Sequence, residues 1–313
     1  MCDHCMKHGS AGKWYLNAAA YSEEVARRHN LREFLLEQYK NFEQISVRKV
    51  GGISPAGMDR VFRMPIIGRI VKRSAEKLLH STRPPVNPFK PEGHIGQVVP
   101  LEDGVAILQH CAAEPIIEKN CMCRYMTRGV KESCCINFGV MSEIIDQLPR
   151  FIPEKDKYHL SRDEAVQRFT EHNHKGYIGT IWYGPYPYIS NLCSCAIPEC
   201  AGISPRVNFG IKSIHKAEYL VRLDTGRCRG CRACISRCPF KAISLDPATG
   251  LARVDPAVCY GCGVCRHVCD TGALSLVDRH PTRREPLPGV PHPHSHDHPH
   301  SHDHGHAHAH AHA

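Results

Sequence analysis

The sequence predicts an α+β protein in four parts, and three observations carry that expectation. Residues 22–44 place Leu31, Leu35, Gln38 and Phe42 at a helical period, with Phe34 on the flank. Between residues 94 and 217, strand signals mix with helix signals, and cysteines recur among them in two groups. From residue 218, two cysteine runs of identical spacing are joined by short apolar strands, an internal repeat that implies pseudo-twofold symmetry. The expected parts are a helical N-terminal region with a proline-rich arm (1–93), a mixed α/β cysteine-rich middle domain (94–217), a small repeat domain (218–279) and a disordered histidine-rich tail (280–313).

Ser22 can cap the first helix, and Glu23 and Glu24 suit its first turn, where acids meet the positive end of the helix dipole. Gly51, Gly52, Pro55 and Gly57 end the pattern. A second helical stretch, 58–80, sets Val61, Phe62, Ile66, Ile67, Ile70, Val71, Leu78 and Leu79 among Arg60, Arg63, Arg69, Lys72, Arg73 and Lys77, and Pro65 divides or kinks it. Such a stretch suits a core-packing helix with a solvated basic face or a partner subunit; peripheral contact with an anionic membrane fits less well. Four prolines between Pro84 and Pro91 mark an extended arm. QVVP reads as a short strand, and Pro100 suits the first turn of a helix running to about His110. Ser161 and Glu164 form a capping box, YIGTIWY (177–183) reads as a strand, and AISLDPATGLARVD reads as a hairpin turning at Asp246–Gly250.

The chain has 313 residues, 18 cysteines and a formal net charge of +9. Its opening, MCDHCMKHG, shows no apolar signal-peptide segment, and no stretch reaches the roughly 20 apolar residues of a membrane span. A cytoplasmic, reducing setting is expected, in which clustered cysteines serve metals rather than disulfides. The basic residues are spread along the chain without a nucleic-acid-binding motif, so no nucleic-acid partner is expected.

Cys228, Cys231, Cys234 and Cys238 follow the spacing C-x2-C-x2-C-x3-C and are followed by Pro239; Cys259, Cys262, Cys265 and Cys269 repeat it and are followed by Asp270. Short x2 intervals let a loop wrap three thiolates around one corner of a cubane, while the fourth points elsewhere. Zinc sites more often use two separated C-x2-C pairs. Residues 220–278 thus resemble a bacterial-type ferredoxin carrying two [4Fe–4S] clusters. The resemblance implies that Cys228, Cys231, Cys234 and Cys269 hold one cluster, and that Cys259, Cys262, Cys265 and Cys238 hold the other. It also implies that each fourth cysteine opens a short helix, with Pro239 or Asp270 in its first turn. Arg227, Arg229, Arg232, Arg237 and Arg266 flank the clusters; they either raise the cluster potentials or face solvent.

Eight further cysteines lie in the middle region: Cys111, Cys121, Cys123, Cys134, Cys135, Cys193, Cys195 and Cys200. They suit either an additional iron–sulfur or metal centre or small buried apolar residues. The leading candidate set is Cys121, Cys123 and Cys135, completed by Cys111 or by the Cys193 group. VPLEDGVAIL, CMCR, CINFG and YIGTIWYGPYPYISNLCSC resemble the N-terminal extension of multi-cluster ferredoxin-like proteins of anaerobes. Cys2, His4, Cys5 and His8 form either a small metal site or a frayed end. The tail sets His292, His294, His296, His298, His300, His302, His304, His306, His308, His310 and His312 at alternate positions, which suits nickel or zinc binding or simple solubility.

The expected function is electron transfer by two [4Fe–4S] clusters, as a subunit or dedicated partner of an anaerobic oxidoreductase. Its partner would be a redox protein or catalytic subunit. No catalytic residue is assigned, because the sequence has no nucleotide loop, GxSxG elbow or clear acid–base pair. The alternatives are a metal enzyme with its site in the middle domain, and a nickel- or zinc-handling protein acting through its tail.

Overall fold

The computed structural model describes residues 13–45, 61, 63–80, 95–148, 152, 157–183, 187–211 and 213–279. The Cys2, His4, Cys5 and His8 group, the proline arm and the histidine tail lie outside the described residues.

The N-terminal stretch begins with two 3-10 turns, Trp14–Leu16 and Ala18–Tyr21. Their side chains are not a separate layer: Trp14, Tyr15, Leu16 and Tyr21 are buried in the same core as the central sheet. Helix α1 (Glu23–Arg28) is capped by the Ser22 hydroxyl, which accepts from Val25 N. The expected single helix breaks at Asn30, whose φ of 49° lies in the left-handed region that asparagine tolerates, and resumes as α2 (Leu31–Ile45). Helix α3 (Ile67–His80) starts after a turn at Met64–Ile66, where Pro65 interrupts the preceding helical residues. Ile66, Ile67 and Ile70 are exposed, so this end of the stretch builds no core and the core-packing expectation is not met there.

The middle of the chain forms a seven-stranded sheet. Its strands are β1 (Gly96–Val98), β2 (Ile116–Asn120), β3 (Ser133–Phe138), β4 (Lys157–Leu160), β5 (Ile178–Trp182), β6 (Asn191–Cys195) and β7 (Ile214–His215). The order is β4-β2-β3-β6-β5-β1-β7, with all pairs antiparallel except β1 with β7. The mixture of helices with a mainly antiparallel sheet is the expected α+β class.

Strand order exposes a second internal repeat that the sequence hid. Exchanging β1 with β4, β2 with β5 and β3 with β6 reverses the order of the first six strands, as a pseudo-twofold axis between β3 and β6 requires. On that axis Cys135 faces Cys193 across the strands. Each half runs strand, helix, strand, strand, with one added short helix, Met122–Arg128, between the last two strands of the first half. Helix α4 (Leu101–Ala106, continued as one π turn through Cys111) links β1 to β2, and helix α7 (Arg162–Lys175) links β4 to β5. The first strand of each half pairs in the other half, β1 with β5 and β4 with β2.

Helices α4 and α7 cover one sheet face and bury Ile107, Leu108, Ala165 and Phe169 against Ile136, Ile181 and Leu192. The two helices approach closely at Gly104, where an added Cβ would sit 2.1 Å from the Phe169 ring. Ser161 caps α7 through Glu164 N, and the Glu164 carboxylate accepts from Ser161 N, completing the expected capping box. Ser161→Ala is expected to lower stability by about 1 kcal/mol, read by urea unfolding, because it strips one orphan N–H of its acceptor.

Short helices complete this region: α5 (Met122–Arg128), α6 (Gly139–Gln147) and α8 (Ile203–Phe209). The remaining residues form two small antiparallel ladders, β8 (Tyr219–Leu223) with β11 (Leu274–Asp278), and β9 (Ile243–Leu245) with β10 (Ala252–Val254). The second ladder is the expected hairpin, closed by Gly250 N donating to Asp246 O at 2.8 Å. No helix among the described residues is long and apolar enough to cross a membrane.

Candidate metal centres

The two cysteine runs fold as loops with matching local features. In each, the fourth cysteine ends a short helical turn rather than opening one. Cys238 caps α9 (Ala233–Arg237), and Cys269 caps the 3-10 turn Val264–Val268. Lys241 N donates to Cys238 O at 3.2 Å and Gly272 N to Cys269 O at 3.1 Å, so a tight turn follows each fourth cysteine. Pro239 therefore serves the second position of a turn, where its fixed φ is suited, and not a helix. Asp270 occupies the equivalent position and pairs with Arg229, which replaces the helix-dipole role expected for it.

Positive φ angles at matching positions curl each loop: Gly230 and Arg232 in the first run, Gly261 and Gly263 in the second. Arg232 at φ 66° and Lys241 at φ 54°, the counterparts of Gly263 and Gly272, put side chains in the left-handed region. Equivalent backbone donors reach the fourth sulfurs, Ala242 N to Cys238 and Ala273 N to Cys269, both at 3.3 Å.

The loops bring the eight thiols together in two sets. Cys228, Cys231, Cys234 and Cys269 line one cavity. Cys238, Cys259, Cys262 and Cys265 line another. Each set takes three cysteines from one run and the fourth from the other. Burial pushes the Cys262 thiol up to about 12 and raises Cys265 as well. Thiols are the donors that hold iron–sulfur clusters, so the chemistry of this donor set fits one.

The flanking arginines divide by their contacts. Arg266 pairs with Glu102 of α4 at 2.7 Å, and Arg237 donates to the His174 carbonyl at the end of α7. His267 shares a 2.7 Å hydrogen bond with Asn173. Arg279 donates to the carbonyls of Ala217, Tyr219 and Cys259. The contacts of Arg266, Arg237 and His267 seat the repeat domain against helices α4 and α7, and those of Arg279 tie the domain's own strands and loop together.

A third group of thiols lies beside the second cavity. The Sγ atoms of Cys121, Cys134 and Cys135 all fall within 4.8 Å of one another. Cys121 follows β2, and Cys134 and Cys135 lie on the neighbouring β3. On β6, strand alternation puts Cys193 and Cys195 on one face, and the Cys200 thiol donates to Cys195 at 3.4 Å. Hydrogen-bond contacts continue from Cys200 to Cys123, from Cys123 to Cys121, and from Cys135 to Cys193. Six sulfurs thus form a closed ring, 121–135–193–195–200–123, with Cys134 attached at Cys121 and Cys135. Hydrogen bonds from Cys123, Cys134 and Cys135 hold Cys121 well below the ordinary thiol range, and those from Cys135 and Cys195 bring Cys193 down to about 5.

The eighth middle-domain cysteine is not with them. Cys111 packs with Tyr21 and Ile107 in the core beneath α4, where burial raises its thiol to about 11. Cys123, Cys121 and Cys135 come together as anticipated, with Cys193 adjoining; Cys134, Cys195 and Cys200 complete the group.

Residues 227–273 match the family model described as the 4Fe-4S dicluster domain. This segment is a ferredoxin-type, 4Fe-4S-binding domain. The match does not reach residues 1–226, so it lends no support to the likeness drawn between that part and the extensions of multi-cluster proteins. No curated protein and no solved structure matches the chain.

Proposed function

We propose that the chain is an electron-transfer protein carrying two [4Fe–4S] clusters. Cys228, Cys231, Cys234 and Cys269 hold one, and Cys259, Cys262, Cys265 and Cys238 hold the other. The observation that supports this most is the partition of the eight thiols between two cavities. Each cluster, when bound, accepts and releases one electron. The chain's own residues place the clusters, exclude water and set local charge. Val264, buried completely, and the stacked rings of Phe240 and Tyr260, 4.1 Å apart, keep solvent from the second site. Arg229 and Arg232 line the first cavity and favour its more negative, reduced state.

The protein acts as a subunit or dedicated partner of an anaerobic oxidoreductase rather than as a free shuttle. The exposed Ile66, Ile67 and Ile70 beside Arg69 and Arg73 offer a catalytic subunit an apolar seat with a basic rim. The described cysteines are free thiols, which suits the reducing cytoplasm.

Anaerobic reconstitution with iron and sulfide is expected to give a brown protein whose dithionite-reduced form shows low-temperature paramagnetic signals. Cys231→Ser is expected to remove the first cluster's signal and keep the second's, and Cys262→Ser the reverse. A colourless wild-type protein without signals would overturn the reading.

A further inference from the structure

We propose that the seven-thiol group of the sheet, outside the ferredoxin-type segment, holds a third iron–sulfur centre in which Cys121, Cys134 and Cys135 are three of the ligands. The proposal rests on the reading of the second ferredoxin cavity as a cluster site for its electron path, but not for its ligands.

Four observations converge on it. The first is convergence of the sulfurs themselves, which come from the start of α5, from β3, from β6 and from the loop after β6. Cys134, Cys135, Cys193, Cys195 and Cys200 are buried, as is Cys121. Seven clustered thiols exceed the four that a closed zinc site uses, and soft thiolates select zinc, copper(I) or iron–sulfur clusters over harder ions. Among the described residues no histidine or carboxylate shares the three-sulfur group.

The second is a shell of donors aimed at sulfur. Asn191 Nδ2 donates to Cys193 Sγ at 3.2 Å, Ile203 N donates to Cys200 Sγ at 3.4 Å, and the Thr180 hydroxyl lies 3.2 Å from Cys195 Sγ. Such bonds offset charge on cluster-bound sulfur and set its potential. Free thiols serving only as apolar filling would not require them.

The third is a buried cation. The Arg124 side chain is 4% exposed, donates to Ser194 O at 3.1 Å and lies 3.9 Å over the Tyr177 ring. Its charge acts on Cys134 and Cys121. Glu132 pairs with it. A buried guanidinium is costly unless negative charge accompanies it.

The fourth is position. The thiol group and the second ferredoxin site share one packed cluster: Cys121, Cys135, Cys193 and Cys200 occur in it with Cys262, Tyr260, Phe240 and Val264, and Cys238 packs at its margin. The first ferredoxin site packs in a different cluster, which also holds Cys259 and Cys265 of the second site, so the second site lies between the first and the thiol group. The third centre is therefore next in line after the second ferredoxin cluster. Transfer is one electron: the reduced ferredoxin cluster is oxidised, the third centre is reduced, and no proton or leaving group is involved.

Iron and acid-labile sulfide, counted on the anaerobically reconstituted full chain, test this directly. The two ferredoxin clusters account for about eight irons per chain, and a third centre is expected to raise the count to about twelve if it is a cubane. The triple variant Cys121→Ser, Cys134→Ser, Cys135→Ser is expected to return the count to about eight while keeping the ferredoxin signals, which shows that it has folded. Cys111→Ser, in the other core, is expected to change nothing. In a variant lacking ferredoxin ligands, Cys231→Ser with Cys262→Ser, the iron of the third centre is expected to remain. About eight irons in the wild type, zinc in place of the additional iron, or no iron in the ferredoxin-ligand variant would each overturn the third centre. An iron count unaltered by the ferredoxin-ligand substitutions would instead overturn the reading of the ferredoxin-type segment.

Discussion

Gly261→Ala is expected to lower stability by roughly 2–5 kcal/mol and to remove the iron of the second ferredoxin site. Gly261 lies between Cys259 and Cys262 at φ 71°, a backbone region where a side chain costs about 1–2 kcal/mol. The larger effect is contact. A Cβ there would sit 2.1 Å from the Tyr219 carbonyl oxygen and 3.1 Å from the Ala217 side chain. Neither neighbour can yield easily. Tyr219 begins β8 in its ladder with β11, and Ala217 N donates to the Tyr260 carbonyl at 2.9 Å. The loop itself must move, carrying Cys259 and Cys262 away from Cys238 and Cys265. Gly250→Ala provides the control. Its φ is 69°, but nothing lies within 4 Å of the added carbon. It is expected to cost only the backbone component, about 1–2 kcal/mol, with iron content unchanged. Equal iron loss in both variants would show that the close approach to Tyr219 is unimportant.

Glu118→Gln is expected to make the protein more stable at pH 7.5, by up to about 3 kcal/mol, and to have little effect below pH 4.5. Glu118 lies on β2, is 1% exposed, and has one carboxylate oxygen without a hydrogen-bond partner. Burial raises its pKa to about 7, against the pull of Arg168 at 3.9 Å and with a push from Glu171. The unfolded chain therefore ionises this group first, near its ordinary value of 4.5. Stability falls as pH rises from there to about 7 and then levels off. Glutamine keeps the shape and removes the ionisation, so the difference between the two proteins isolates it. His172, lowered to about 4 by burial, works in the opposite direction, losing stability as pH falls below its ordinary range. It is present in both proteins and cancels in the difference. Urea unfolding of holoprotein at pH 5, 6 and 7.5 measures the effect; parallel pH profiles would contradict it.

Local chemistry was legible in the sequence where one residue type dominates the outcome. The Ser22 and Ser161 caps, the break at Pro65, the Asp246–Gly250 turn and the eight regularly spaced cysteines all follow from short-range rules. The turn after each fourth cysteine was misread because proline suits both the first turn of a helix and the second position of a β-turn. Only the preceding helix, ending at Arg237, decides between them. The thiol ring had a partial signal. C-x-C within a strand puts both sulfurs on one face, which would have paired Cys193 with Cys195 and favoured them over Cys111. Its closure depended on β3 meeting β6 in register, a contact between residues 58 positions apart, such as Cys135 and Cys193. The duplication within the sheet was invisible for a related reason. Its strands are three to six residues long, and the two halves preserve pattern and pairing rather than residue identity.

The exchange of β1 and β4 between the halves makes neither half self-sufficient. A ribosome that has released only the first half has made β2 without β4 and β1 without β5, so two backbone edges wait for sequence still to come. Two identical copies of such a unit could satisfy each other in the same way, across a true dyad. In the present chain the thiol-bearing strands β3 and β6 meet along the boundary between the two halves.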